Sequence, residues 1–271
     1  MHRNLSQKNV AGERLLEGRA LITGGTSGMG LAFAKALASR GVDLVLVARD
    51  GERLAATAGE LSLTYGVKSE TLIADLATTD GVQAVKERLV ASSEPVNILI
   101  NNAGSGLYSK LASTDYSDIL RGAQVMGLAP MEIGGAAAAT MKERGSGLIL
   151  TTVSVSALVP MGAYSAIKSL VKTWSDSLAV ELQDTGVQVV TFMPGWVHTE
   201  FHQRTGVSNK SLPAWVWMEA DAVIEEALQA VVAGKTTATP SKRFKVISFL
   251  AKHAPQVAVR KAVKKLNKGR R

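Results

Sequence analysis

Tyr164 and Lys168, four residues apart in Ala163-Tyr-Ser-Ala-Ile-Lys168, are the side chains of this sequence best suited to chemistry. On a helix a four-residue step stacks the two on one face. A phenol ordinarily ionises near pH ~10, and an ammonium beside it favours the phenolate and draws that value down. Such a pair can exchange a proton with the oxygen of a carbon–oxygen centre. The same spacing also arises by chance on many helices, so its meaning depends on what the rest of the chain brings to it.

A second group of residues suits phosphate. Arg19-Ala-Leu-Ile-Thr23 reads as a short buried strand that runs into Thr23-Gly-Gly-Thr-Ser-Gly-Met-Gly30. A helical pattern follows from Leu31 to Arg40 and stops at Gly41. Glycines between a strand and a helix N-terminus leave backbone N–H donors open to an anion. The spacing Thr-Gly-x-x-x-Gly-x-Gly is not the common G-x-G-x-x-G fingerprint, and without a following Gly-Lys-Ser/Thr it is not a Walker loop. A glycine-rich turn with no ligand is the alternative.

These residues need a frame, and the hydrophobic pattern supplies one. Val42–Ala48, a near-continuous apolar run, and Lys68–Ala74, Val96–Ile100, Gly147–Val153 and Val187–Met193 read as strands. Helical stretches alternate with them at Gly51–Tyr65, Thr79–Ser92, Asp115–Arg144 (crossing Pro130), from Tyr164, and at Ala220–Gly234, with a short last segment near Thr237–Pro240. Strand–helix alternation with short links predicts a single-domain α/β fold: a doubly wound, Rossmann-type, mostly parallel sheet with helices on both faces. Residues 19–240 form the expected domain, residues 1–18 an arm and residues 241–271 a basic tail.

Charge and composition exclude several classes. The net charge of +8 is concentrated, since Pro240–Arg271 carries eleven Lys or Arg and no acid, while the remainder has 20 basic and 23 acidic residues. A mildly acidic body disfavours nucleic acid as the partner. With no cysteine there is no disulfide framework, thiolate metal site or cysteine nucleophile. No apolar run reaches the ~18–20 residues of a membrane span, and Met1–Glu17 lacks a signal-peptide core. A cytoplasmic protein is the expectation. No Gly-x-Ser-x-Gly elbow marks a hydrolase. His198 and His202 are four apart, but Glu200 is not placed as in His-Glu-x-x-His, so a surface pair is the simpler reading.

The glycine turn resembles that of the short-chain dehydrogenase/reductase family, and four further motifs follow in order. Asp75-Leu76 follows the third strand, and Asn101-Asn102-Ala103-Gly104 the fourth. Tyr164-x-x-x-Lys168 and Pro194-Gly195-Trp-Val197-His-Thr199 come later. The resemblance covers Leu21 to about Thr199. It implies that Thr23, Gly24, Thr26, Ser27, Gly28, Met29 and Gly30 hold the pyrophosphate of a nicotinamide dinucleotide. It further implies that Asp75 and Leu76 meet adenine, and that Asn102, Ala103 and Gly104 lie beside the adenosine ribose. Pro194, Gly195, Val197 and Thr199 would meet the nicotinamide, with Tyr164 and Lys168 as catalytic pair and Lys168 on the nicotinamide ribose. Arg49 falls where a cation accommodates the 2′-phosphate of NADP(H), so NADP(H) is favoured over NAD(H). Asp50 alternatively reads as a helix N-cap beside a solvated Arg49.

The family's substrate-polarising serine maps to Ser154, only ten residues before Tyr164, with Ser156 and Thr151 as alternatives. Its relay asparagine is replaced by Gln124 in Gln124-Val-Met-Gly127, unless Gln124 merely caps a kink. The segment Trp196–Met218, with Phe201, Trp215 and Trp217, is either a flap over an apolar substrate (a lipid-like ketone, acyl chain or steroid) or ordinary packing.

In the tail, Val259, Ala262, Val263 and Leu266 form an apolar stripe among Arg260, Lys261, Lys264, Lys265 and Lys268. A solvated helix packed by one face, or left disordered, is the plain reading, and peripheral contact with an anionic membrane surface the second. The expectation is an NADP(H)-dependent oxidoreductase acting on CH–OH/C=O groups, commonly a homo-oligomer in the family. The rival is a dinucleotide-binding regulatory or scaffold protein with little turnover.

Overall fold

Alternation along the strands decides which side of the sheet each helix covers. The computed structural model describes residues 12–199 and 214–268. Its strands β1 (Arg19–Thr23), β2 (Asp43–Ala48), β3 (Ser69–Ile73), β4 (Ile98–Asn101), β5 (Gly147–Thr152), β6 (Val187–Phe192) and β9 (Thr237–Ala238) form one parallel sheet in the order β3-β2-β1-β4-β5-β6-β9. Ala20, Ile22, Leu44, Leu46, Ile98, Ile100, Leu148 and Leu150 point to one face. There they meet helices α1 (Gly28–Ala38), α2 (Gly51–Tyr65) and α7 (Ala220–Val232) through Phe33, Leu37, Leu54 and Ile224. Leu21, Val45, Val47, Leu99, Ile149 and Val189 point to the other. That side is covered by α3 (Thr79–Val90), α5 (Ala129–Arg144) and α6 (Ala163–Glu181) through Val85, Ile133 and Leu178. Both faces of the central strands are therefore dry, as their continuous apolar runs require, while edge strand β3 stays partly exposed.

The chain winds outward from β1 to β3, then returns to β4 and winds the other way. Ligands of such sheets sit beyond the carboxyl ends of the strands at this reversal. Residues that follow those ends, Gly24, Arg49, Asp75, Asn102, Ser154 and Pro194, are brought to one edge of the sheet.

Three local features depart from expectation. α1 begins at Gly28 rather than Leu31, because the glycine turn itself supplies the first helical turn. The long helix is three pieces: α4 (Ser117–Ala123), a π-helical turn Gln124–Leu128, and α5, which has Pro130 in its first turn. Proline lacks an N–H and cannot close an interior helical bond; the wider π turn lies immediately ahead of it. A parallel pair, β7 (Trp196–His198) and β8 (Trp217–Glu219), ties the two ends of the expected flap together. Phe201 and His202 lie outside the described residues. His198 stacks on Trp217 with ring centroids 4.8 Å apart.

The tail forms α8 (Lys242–His253) and α9 (Gln256–Lys268). Phe244 anchors α8 in the core, where it touches Trp196 and leaves no room for a Cβ at Gly195. Val263 of α9 is buried. The end of the expected arm also joins the core, through Leu16.

Candidate active site

The carboxyl edge carries a polar cleft of 1140 Å³ and, beside it, an apolar cavity of 680 Å³. They meet at Met29, Tyr108, Tyr164 and Thr199, which line both.

The polar cleft gathers most of the residues expected to hold a dinucleotide. Gly24, Thr26, Ser27, Gly28, Met29, Arg49, Asp75, Leu76, Asn102, Ala103, Gly104, Tyr164, Lys168 and Thr199 all line it. Gly24 (φ +69°) and Gly28 (φ +53°) take the left-handed conformation that glycine adopts without strain. A side chain at either would also crowd the cleft, 3.1 Å from Ala103 Cα or 3.2 Å from Thr199 Cβ. Two expected residues act behind the wall instead. Gly30 packs α1 against the turn, where a Cβ would lie 2.1 Å from the Gly24 carbonyl oxygen. Thr23 Oγ1 accepts from the Asn102 and Ala103 N–H groups at 2.9 and 3.1 Å, locking the β4 loop to β1. Asn102 Nδ2 donates back to the Thr23 carbonyl at 3.3 Å. Pro194, Gly195 and Val197 line the apolar cavity rather than the cleft.

The cleft wall is rich in charge, with Asp50, Asp75 and Asp118 beside three arginines, Arg49, Arg53 and Arg121. Arg53 Nε donates to the Thr26 carbonyl at 3.1 Å, which fixes that guanidinium against the glycine turn. Asp50 caps α2, accepting from the Arg53 N–H at 3.0 Å. Asp75 accepts from the Ala77 N–H at 3.0 Å and from Arg121 at 2.9 Å. Its carboxyl sits below the ordinary range although burial pushes the other way, because those two bonds and the charges of Arg121 and Arg49 outweigh it.

Tyr164 and Lys168 share one face of α6, as their spacing requires, with Nζ 5.8 Å from the phenol ring centroid. The electrostatics differ from the expectation. Burial pushes the Tyr164 phenol up, and Tyr108 adds to this, while the hydrogen bond with Ser154 opposes it. The Lys168 ammonium donates to the Thr152 carbonyl, 2.8 Å away. Burial draws Lys168 itself down to about 8.

Among the three candidate hydroxyls, Ser154 is the one bonded to Tyr164. Ser156 supports it, donating from its hydroxyl and its N–H to Ser154 Oγ at 3.0 and 3.1 Å. The short loop reaches α6 through a 3₁₀ turn at Val155–Leu158 and through Gly162, whose φ of +109° a side chain rarely allows. Thr151 faces away, into a cavity of about 10 Å³ behind Lys168, with room for one water. Thr151 Oγ1 and Asn101 Oδ1, both buried there, have no protein partner among the described residues.

Gln124 is not brought to the cleft. Val125 and Met126 of the same π turn line it instead. Several lining residues were not anticipated: Arg53, Arg121, Tyr108 and the tail residues. Arg53, one helical turn past Arg49, is the one with a signal in the sequence.

The apolar cavity also differs in its walls. Of the described parts of the expected flap, Trp196, Val197 and Thr199 line it, while Trp215, Trp217 and Met218 do not. Its roof comes from the tail, through Ile247, Leu250 and Ala251 of α8 and Ala258, Val259, Ala262 and Val263 of α9.

Fold and glycine turn together are those of a doubly wound, dinucleotide-binding α/β domain. The chain belongs to the short chain dehydrogenase family, whose sequence profile matches residues 19–209. A very-long-chain 3-oxoacyl-CoA reductase of Neurospora crassa is 32% identical over 176 residues, 63% of this chain and 53% of the relative. The chain thus spans about half the length of that relative. Among solved structures, a short-chain dehydrogenase from Sphingobium yanoikuyae in complex with NADPH is 33% identical, with a TM-score of 0.80 over 86% of this chain and 92% of that one. A bulky-bulky ketone specific alcohol dehydrogenase from Comamonas testosteroni is 29% identical, with a TM-score of 0.74 over 88% and 95%.

Proposed function

We propose that this short-chain dehydrogenase uses NADP(H) and interconverts a bulky, apolar ketone and its alcohol. The observation that carries the reading is the position of Tyr164 in the wall of both cavities, one polar, the other apolar. Three arginines in the cleft wall suit a 2′-phosphate better than a bare diol. The NADPH in the Sphingobium structure and the bulky ketone named for the Comamonas enzyme support cofactor and substrate class.

When bound, the nicotinamide supplies or receives the hydride. In the reductive direction Ser154 polarises the substrate oxygen, with its own oxygen held by Ser156. Tyr164, kept protonated by burial, donates its proton to that oxygen. Lys168 faces the cofactor side, and its depressed basicity lets it return a proton toward the phenol near neutral pH. In place of the relay asparagine, a water held by Asn101 Oδ1 and Thr151 Oγ1 in the cavity behind Lys168 carries the proton onward. Half-exposed Leu120, Leu128 and Leu170, on α4, the π turn and α6, fit a pairing surface for a homo-oligomer.

The displacement of Gln124 from the cleft favours one rival, a protein that binds the dinucleotide without turnover. Fluorescence titration with NADPH and NADH, followed by NADPH oxidation against a panel of small and bulky ketones, separates the two. NADPH should bind at least tenfold tighter than NADH and be oxidised fastest with bulky apolar ketones. Tight binding with no oxidation on any ketone would establish the rival.

A further inference from the structure

Helix α8 is apolar on two faces. Phe244, Ser248 and Ala251 look inward, toward the core and the cavity, and Ile247 sits at the edge, on the cavity wall but 38% exposed. Val246, Phe249 and Leu250 recur at helical spacing on the other side and are 58%, 62% and 55% exposed, and Val257 at the start of α9 is 65% exposed. A helix that carries a second apolar stripe ordinarily has that stripe covered as well. The cover must also tolerate charge: Lys242, Lys245 and Lys252 flank the stripe, and no acid occurs between Pro240 and Arg271.

A second copy of this chain is a poor cover. A two-fold interface sets the same patch against itself, and here that would oppose one cationic face with another. An anionic bilayer answers both features, burying the apolar stripe at the acyl boundary while its headgroups meet the lysines. We infer that the outer face of α8, with Val257, docks the protein on an anionic lipid surface. Leu250 and Ile247 belong both to this exposed face and to the cavity wall, so the docked protein holds its apolar cavity against the bilayer. That consequence for a lipid-dissolved substrate rests on the reductase reading; the docking does not.

The test uses the full chain and phosphatidylcholine vesicles with and without phosphatidylglycerol. Co-sedimentation should require phosphatidylglycerol and fall with salt. Lys245→Glu with Lys252→Glu should weaken it more than about twentyfold, each lost cation being worth about fivefold. Val246→Ser with Phe249→Ser should abolish it while NADPH titrates as in the parent, which shows the variant folded. Because the chain has no cysteine, a nitroxide on Phe249→Cys reports one site. It should become shielded from a water-soluble relaxing agent on vesicles, whereas one on Leu63→Cys, 89% exposed on α2, should not. No sedimentation with phosphatidylglycerol, or binding unchanged by Val246→Ser/Phe249→Ser, overturns the inference. So does a dimer that dissociates in that variant, or binding to duplex DNA in place of vesicles. None of these readouts uses turnover, so failure of the reductase reading would be seen separately.

Discussion

The polar cleft and the apolar cavity share Tyr164 but are assembled from different kinds of sequence. Much of the cleft wall consists of strand ends with the few residues after them, held by contacts such as the Thr23 Oγ1 bonds to Asn102 and Ala103. The cavity is closed by helices α8 and α9, which begin 78 residues beyond Tyr164 and are held by the packing of Phe244 and Val263. The first arrangement demands particular residue types at fixed spacing, above all glycines. The second demands only apolar bulk, so it can change without disturbing the first. Binding of the cofactor and choice of substrate are therefore separable in this molecule.

The sharpest break should come from the glycine turn. Gly30→Ala places a methyl 2.1 Å from the Gly24 carbonyl oxygen, and the helix must move to admit it. We expect a loss of about 3 kcal/mol, the upper end of overpacking, and no NADPH binding, read by chemical denaturation and fluorescence titration. Next come the cleft arginines. Arg49→Ala with Arg53→Ala should weaken NADPH about 10- to 100-fold, the worth of one or two charged hydrogen bonds, while NADH changes less than about threefold. On the cavity side, Ala262→Trp should raise KM for a bulky ketone about tenfold and leave the NADPH affinity unchanged. A shift in NADPH affinity there would show that the two regions are coupled.

The smallest effect lies at their junction and depends on pH. The folded pKa of Lys168 is depressed, to about 8 from 10.5, so burial of this group costs stability fully below pH about 8. The penalty, about 3 kcal/mol from that difference, fades as pH rises from about 8 toward 10.5, because the unfolded lysine then also loses its proton. Cofactor-free Lys168→Met should therefore gain in Tm over the parent at pH 7, and the gap should narrow between pH 8 and 10. A gap constant across that range would mean that Lys168 is not desolvated.

The same contrast explains what was legible beforehand. α2 runs from Gly51 to Tyr65 as expected, since its Asp50 cap and Gly66 stop are local signals. The parallel sheet and the cleft residues at the strand ends were readable for the same reason. The start of α1 at Gly28 was hidden by the low helix propensity of glycine, and Gly30 proved a packing residue because only the folded turn shows what stands opposite it. Gln124 opens a π turn, which shifts the register of side chains without altering composition; Pro130, conspicuous inside a helical stretch, was the trace of it in the sequence. The roof from α8 and α9 was out of reach, because an amphipathic stripe says that a helix packs but not on what. The depressed Lys168, likewise, follows from burial that spacing alone does not reveal.

The central claim is that one phenol serves both cavities, and Tyr164→Phe tests it directly. Deuterium transfer from [4-²H]NADPH to a bulky ketone is followed for both proteins, alongside NADPH titration. The phenyl ring keeps the shape of both walls, so the NADPH affinity should stay within about threefold. Labelled alcohol should form at least about 10²- to 10⁴-fold more slowly, the usual worth of a positioned acid. Labelled alcohol formed at the parent rate by the phenylalanine variant would contradict the account.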